Sequence, residues 1–200
     1  MNELEYWDNI ATQSVKEKGL VDNYLKRRKL IRELLKYDFE YAKILEIGTG
    51  LGITAYILKI LYGYHIDYTG TDISGKFCDI ARGTLKHKMI QTKAENMPFE
   101  DKTFDILFAF DCLEHIPIED RPSVYKELDR VLKDKAVIFI NNPCKTNPSG
   151  HDKDFDFTFN ESDLAKLCNS LNMELLEFVH YDGHRGYRYQ FIVIQRGTEC

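Results

Sequence analysis

Residues Ile44 to Ala55, "ILEIGTGLGITA", set three glycines at alternate positions, Gly48, Gly50 and Gly52, between an apolar run and a helix-like one. A chain gives up side chains in this way where its backbone must turn sharply or approach a ligand closely. A strand that ends in such a turn and re-emerges as a helix fits a sheet built from strand–helix crossovers. The candidate ligands are a phosphate, a dinucleotide or another nucleotide-like cofactor. A dinucleotide turn calls for G-x-G-x-x-G, whose third glycine lets helix and strand pack closely. Here Ile53 takes that place, and the run reads E-x-G-x-G-x-G from Glu46. A pyrophosphate wants only donors, so a buried acid beside it is unwelcome. An acid at Glu46 suits a ligand with a cationic portion, such as an amino-acid ammonium. The helix N-terminus after Gly50 still favours a carboxylate nearby. S-adenosylmethionine carries both groups at one end and a nucleoside at the other.

The texture of the rest of the chain agrees with that opening. Residues 1–40 interleave charged and apolar positions and read as helical, with Leu25, Ile31, Leu34 and Leu35 roughly on one face and Lys26 to Lys29 as a solvated one. Beyond them, strand and helix alternate. Strand candidates are "AKILEIG", "HIDYTGTDI", "MIQTKAE", "FDILFAF", "KAVIFINN", "MELLEFVHY" and "YRYQFIVIQR". The last two, joined by "DGHRG", suggest an antiparallel hairpin. Ser74 is placed to cap one helix, Asn160 with Asp163 another, and Pro122 stands in the first turn of a third. The expected fold is α/β: a Rossmann-like, doubly wound, mostly parallel seven-stranded sheet, with helices on both faces and an antiparallel C-terminal hairpin strand. Two hundred residues suit one domain, with residues 1–40 as a helical lid or substrate segment and 41–200 as the cofactor-binding core. In open sheets of this kind ligands bind beyond the carboxyl ends of the strands. The glycine run, Asp72, "KAENMPF" and "DCLEH" all fall at such ends.

Composition narrows the function classes. A net charge of -5 argues against a nucleic-acid coating protein. No run of about 18 apolar residues is present, so no membrane span is expected, and "MNELEYWDNI" does not read as a signal peptide. Five scattered cysteines form no C-x-x-C pair, which fits reduced thiols in a cytoplasmic protein.

Asp72 lies twenty positions after Gly52, at the end of the second strand. A carboxylate there accepts hydrogen bonds from the 2′- and 3′-hydroxyls of a ribose; capping a helix is the alternative. With "ILEIGTGLG", "YTGTDIS" and "AENMPFEDKTFDILFAFDCLEHI" in view, the chain from about 40 to 195 resembles the class I S-adenosylmethionine-dependent methyltransferases of the methyltransferase domain 11 type. The resemblance implies S-adenosylmethionine as cofactor, with S-adenosylhomocysteine as product. It also implies roles by position. Glu46 would orient the methionine amino group through water. Gly48, Thr49 and Gly50, with Gly52 behind them, would offer backbone to the methionine portion. Asp72 would hold the ribose and Ile73 would pack on the adenine. Ala94 and Glu95 would meet the adenine edge with Met97 nearby, and Asp111 would lie close to the methyl donor. Lys93 departs from the pattern, because lysine cannot accept from the adenine amino group.

The acceptor is expected to be a small molecule methylated at oxygen or nitrogen, with oxygen slightly favoured. Nucleic acid is an unlikely substrate: an N-P-P-Y-like run is missing after the fourth strand, which reads "FDCLEH". His115 is the candidate general base, with a loop-fixing role as the alternative. The family resemblance also brings a rival. Asp111, Glu114 and His115, on one face if helical, look like the E-x-x-E-H metal site of quinone-pathway and RNA 3′-terminal O-methyltransferases, with His151 as a fourth ligand. No resident metal is assigned. A cofactor-binding protein without catalysis is a further alternative. Tyr6, Trp7, His151, Phe155, Phe157 and Phe159 are candidates for the acceptor pocket, under a lid of the N-terminal helices and the loop from Asn142 to Phe159.

Overall fold

The computed structural model describes residues 1–17, 19–63, 65–85, 88–144, 155–183 and 188–197. Two helices, α1 (Glu3–Glu17) and α2 (Gly19–Leu34), precede the sheet. There follow β1 (Lys43–Ile47), α3 (Ile53–Tyr62), β2 (Asp67–Asp72), α4 (Gly75–Leu85), β3 (Lys88–Gln91), β4 (Phe104–Phe110), α5 (Arg121–Val131), β5 (Leu132–Pro143), α6 (Glu161–Leu171), β6 (Met173–Asp182) and β7 (Arg188–Arg196). The seven strands form one sheet in the order β3-β2-β1-β4-β5-β7-β6. The first five run parallel, and β7 is antiparallel to both neighbours, inserted between β5 and β6. This is the expected Rossmann-like sheet.

Alternation along the strands builds two cores. Leu45, Ile47, Leu107, Ala109, Ile138 and Ile140 face α5 and α6, whose Val124, Leu128, Leu167 and Leu171 cover them. Ile44, Ile106, Phe108, Phe110 and Phe139 face the other way, against Leu30 and Leu34 of α2, Ala55 and Leu58 of α3, and Cys78 and Ala81 of α4. With both faces covered, the central strands are near-continuous apolar runs, as a buried parallel sheet requires. On α2, Leu34 packs inward, but Leu35 is exposed and Leu30 takes its place in the core. The side chain of Leu25 lies outside those described.

Capping behaves as the sequence suggests. Ser74 Oγ accepts from the Phe77 N–H at 3.2 Å. Asn160 and Asp163 form a reciprocal capping box on α6. Pro122 stands in the first turn of α5, where its missing N–H costs no helical bond.

α1 does not join either sheet core. Ala11 packs on Leu51, Ile53, Ile57 and Phe77, so α1 lies across the N-terminal ends of α3 and α4, over the carboxyl edge of the sheet. No described helix is long and apolar enough to cross a membrane.

Candidate active site

Parallel register brings the ends of β1, β2 and β4 level: Ile47 pairs with Thr71 on one side and Ala109 on the other. A cavity of about 660 Å³ opens at this edge. Its floor is the glycine turn. Gly48, Gly50 and Gly52 all have positive φ, between 53° and 74°, a conformation that costs a side-chain-bearing residue and suits glycine. At Gly48 the demand is also spatial, since a Cβ would stand 2.6 Å from Cys112 Sγ and 2.8 Å from its Cβ.

Asp72 ties this turn to the next strand. Its Oδ2 accepts from the Gly50 N–H and its Oδ1 from the Ser74 N–H, each at 2.9 Å. Each carboxylate oxygen retains acceptor capacity toward the cavity that Asp72 lines. Burial pushes its pKa up to about 6, with the two backbone N–H groups opposing and Asp8 adding to the rise.

Glu46 lies underneath. It is fully buried and does not line the cavity. Thr54 Oγ1 donates to its Oε1 at 2.8 Å, and Thr49 and Tyr68 donate to its Oε2. Burial pushes its pKa up to about 7 against the pull of Arg27 and these hydroxyls. Glu46 thus braces the glycine turn from below, a depth at which the expected role through water still fits. Two more sequence candidates lie off the cavity wall. Gly52 is the N-cap of α3 and Met97 is a core residue, and neither lines the cavity. Gly48, Thr49, Gly50, Asp72, Ile73, Ala94, Glu95, Asp111 and His115 all line it.

Asp111 directly follows β4 in a left-handed conformation with φ 51°, its N–H donating to Asn141 O at 2.7 Å. Asn141 Nδ2 donates to its Oδ1 at 3.4 Å, and Arg27 Nη2 stands 3.5 Å from its Oδ2. Arg27 also donates to Thr54 Oγ1 at 3.3 Å. So Arg27 connects the end of β4 to the group bonded to Glu46, although the sequence places it on a solvated face of α2. A basic run alone carries no signal of which member turns inward.

A 3₁₀ turn, Leu113–His115, follows. His115 Nδ1 stands 2.7 Å from the Phe155 carbonyl oxygen. A carbonyl only accepts, so Nδ1 carries the proton and Nε2 the basic lone pair. Burial lowers the His115 pKa below its usual value, while the Phe155 carbonyl and the carboxylates of Asp156 and Asp111 oppose the shift. Trp7 meets the His115 ring edge-on at 4.8 Å, and Tyr6 stacks on Phe155 at 4.4 Å. Tyr6 and Trp7 line the cavity, Phe159 is core, and His151 lies outside the described residues.

The expected shared face of Asp111, Glu114 and His115 is not formed, because Asp111 directly follows a strand and only the other two lie on the turn. Among the described residues no group of three His, Cys, Asp or Glu is placed to hold a metal ion. Lys93, the departure from the family pattern, has its Nζ 3.3 Å from Glu3 of α1. Asp8, also on α1, accepts from Ser74 Oγ at 2.5 Å and from the Lys76 N–H at 3.4 Å. The sequence offers no sign of these long-range contacts.

Comparison with known proteins bears on the kind of domain and on the fold. Residues 45–140 match the model of a methyltransferase domain. The demethylmenaquinone methyltransferase of Thermotoga maritima is 36% identical over 116 residues, 57% of this chain and 48% of that protein. The norajmaline N-methyltransferase of Rauvolfia serpentina is 29% identical over 142 residues, 66% of this chain and 46% of that one. The chain spans about half the length of these curated relatives. The crystal structure of a SAM-dependent methyltransferase from Methanosarcina mazei superposes with a TM-score of 0.70 at 20% identity, covering 84% of this chain and 98% of that one, which is a likeness of fold.

Proposed function

We propose that this chain is a class I S-adenosylmethionine-dependent methyltransferase that transfers the cofactor's methyl group to a small-molecule acceptor, at oxygen or nitrogen, inside the cavity. On this reading residues 1–200 act as one domain, with 1–40 as its lid. The observation that carries it is the carboxylate of Asp72, anchored by the N–H groups of Gly50 and Ser74 and bordering the cavity beside the glycine turn. That is the arrangement a nucleoside attached to a compact charged group requires. Unpaired Cys78, Cys112, Cys144 and Cys168 fit a cytoplasmic setting.

The cofactor, when bound, supplies a methyl group on a sulfonium, already a good leaving group. The protein then has to position, exclude water and remove a proton. Gly48, Thr49 and Gly50 offer backbone to the methionine portion, on a turn that Glu46 braces through Thr49, Thr54 and Tyr68. Asp72 accepts from the ribose hydroxyls. Ile73 covers the adenine, and Ala94 and Glu95 meet its edge. Tyr6 and Trp7 close the acceptor side. Asp111, paired with Arg27, borders the reacting region. His115 receives the acceptor's proton at Nε2, the nitrogen that the Phe155 carbonyl leaves unprotonated.

Calorimetry with S-adenosylmethionine, S-adenosylhomocysteine and NAD tests the cofactor. The first two bind and NAD does not; tight NAD binding with silence from the others ends the reading. Asp72→Ala weakens S-adenosylhomocysteine by roughly 1–3 kcal/mol, because two hydroxyls lose a charged acceptor. Unchanged affinity in a folded variant returns Asp72 to a helix-capping role. A screen of metabolite extracts for labelled methyl transfer, run with and without chelator, addresses the acceptor and separates off the metal-dependent alternative.

A further inference from the structure

The acceptor end of the cavity holds more acid than methyl transfer by itself uses. Glu114 lines the cavity on the 3₁₀ turn, with only 2% of its surface exposed. Its Oε2 has no hydrogen-bond partner among the described residues. A buried carboxylate oxygen left unbonded is costly, and the cost disappears when a ligand donor reaches it. Burial, Asp111 and Asp156 all disfavour its charge, and Arg121 opposes them. Arg121 is itself committed, with Nη1 2.9 Å from Asp163 Oδ2.

The remaining charges point the same way. Of the described charged side chains lining the cavity, five are carboxylates and two are cations. Each cation is paired with one of those carboxylates, Arg27 with Asp111 and Lys93 with Glu3. An anionic acceptor entering this space would meet uncompensated acid. A cationic one would meet the Glu114 carboxyl beside the aromatic wall of Tyr6 and Trp7, and aromatic faces attract cations.

We propose that the methyl acceptor is a small amine, recognised by Glu114 and Asp111 against the rings of Tyr6 and Trp7. This rests on the methyltransferase reading and refines it: sequence alone leans to oxygen, whereas the charge of the cavity favours nitrogen. The amine surrenders a proton to His115 Nε2, and its lone pair forms the new bond to the methyl carbon. The carbon–sulfur bond breaks with its electron pair staying on sulfur, which turns the sulfonium into the thioether of S-adenosylhomocysteine.

The test is calorimetry on the full chain saturated with S-adenosylhomocysteine, titrated with ethanolamine, phenethylamine, tryptamine and spermidine. Ethylene glycol and 2-phenylethanol serve as neutral counterparts, and 3-phenylpropionate as an anionic one. At least one amine binds tenfold or more tightly than its neutral counterpart, and Glu114→Gln abolishes that preference while S-adenosylhomocysteine affinity holds. Should Glu114→Gln fail to fold, Asp111→Asn reduces the same preference. The proposal is overturned if no amine exceeds its neutral counterpart, or if the preference survives in folded Glu114→Gln protein. It is also overturned if Glu114→Gln weakens S-adenosylmethionine but not S-adenosylhomocysteine and spares the amine, since Glu114 would then answer the sulfonium. Cofactor binding without any amine preference defeats this inference alone; absence of cofactor binding defeats the methyltransferase reading beneath it.

Discussion

His115 shows how one backbone contact defines a side chain's chemistry. The Phe155 carbonyl fixes the proton on Nδ1, and burial keeps the ring neutral near pH 7. His115→Ala therefore leaves cofactor affinity nearly intact while turnover falls by roughly 10²–10⁴-fold. The wild-type rate rises with pH on the acid side and levels off once the imidazole is neutral, below the usual histidine range. A stable, fully active variant would reduce His115 to a loop-fixing residue and leave catalysis to positioning. Gly48 is a second residue where a single atom decides. Gly48→Ala puts a Cβ against Cys112 Sγ in a backbone conformation with φ 65°, and stability drops by roughly 1–3 kcal/mol. In a Cys112→Gly background, which lacks both Sγ and Cβ, Gly48→Ala recovers part of the loss. No recovery in thermal denaturation would leave the positive φ as the whole cause.

At the scale of elements, α1 is the piece that completes the site. Its Ala11 packs on Leu51, Ile53, Ile57 and Phe77 and belongs to neither sheet core, while Glu3, Asp8, Tyr6 and Trp7 reach Lys93, Ser74, Phe155 and His115. Asp8 touches Ser74, whose N–H holds Asp72, so the seating of α1 and the carboxylate proposed to hold the ribose share one turn. Asp8→Ala removes that link, worth about 1 kcal/mol. S-adenosylhomocysteine then dissociates about fivefold faster, and hydrogen exchange in α1 accelerates. Unaltered dissociation would mean that α1 is held by Ala11 and its apolar neighbours alone.

The whole molecule stores buried and half-buried acid at one edge of its sheet. The carboxyls of Glu46, Asp72, Asp111 and Glu114 all titrate above their ordinary values, Glu46 near 7 and Asp72 near 6. Between about pH 4 and 7 the folded protein holds protons that the unfolded chain has released. Stability of the ligand-free protein is thus highest at the acid end of this window and falls as pH rises through it. The lowered pKa values of His115, Glu127 and Glu177 work in the opposite direction, the two glutamates only at the acid end of the window. On the proposed function, saturation with S-adenosylhomocysteine flattens the fall, because the ribose hydroxyls would donate to Asp72. Melting temperatures measured across this range with and without the ligand check both statements; a ligand-free protein that stabilises steadily from pH 5 to 7 would refute them.

Local chemistry is what the sequence determined by itself. Apolar runs of strand length, glycines where φ must be positive, and caps at Ser74 and Asn160 depend on near neighbours, so the strand–helix order and the sheet class were legible. The ends of the parallel strands named most of the cavity wall in advance, from Gly48 to His115. Depth and direction were decided only by the tertiary structure. Glu46 and Met97 occupy motif positions that are buried behind the cavity wall, and a motif records position without depth. Arg27 looked solvated because nothing within α2 reveals Asp111, 84 residues further along, as its partner. The bonds of Asp8 to Ser74 and of Phe155 to His115 join segments far apart in the chain, and so the seating of α1 and the tautomer of His115 belong to the packed molecule.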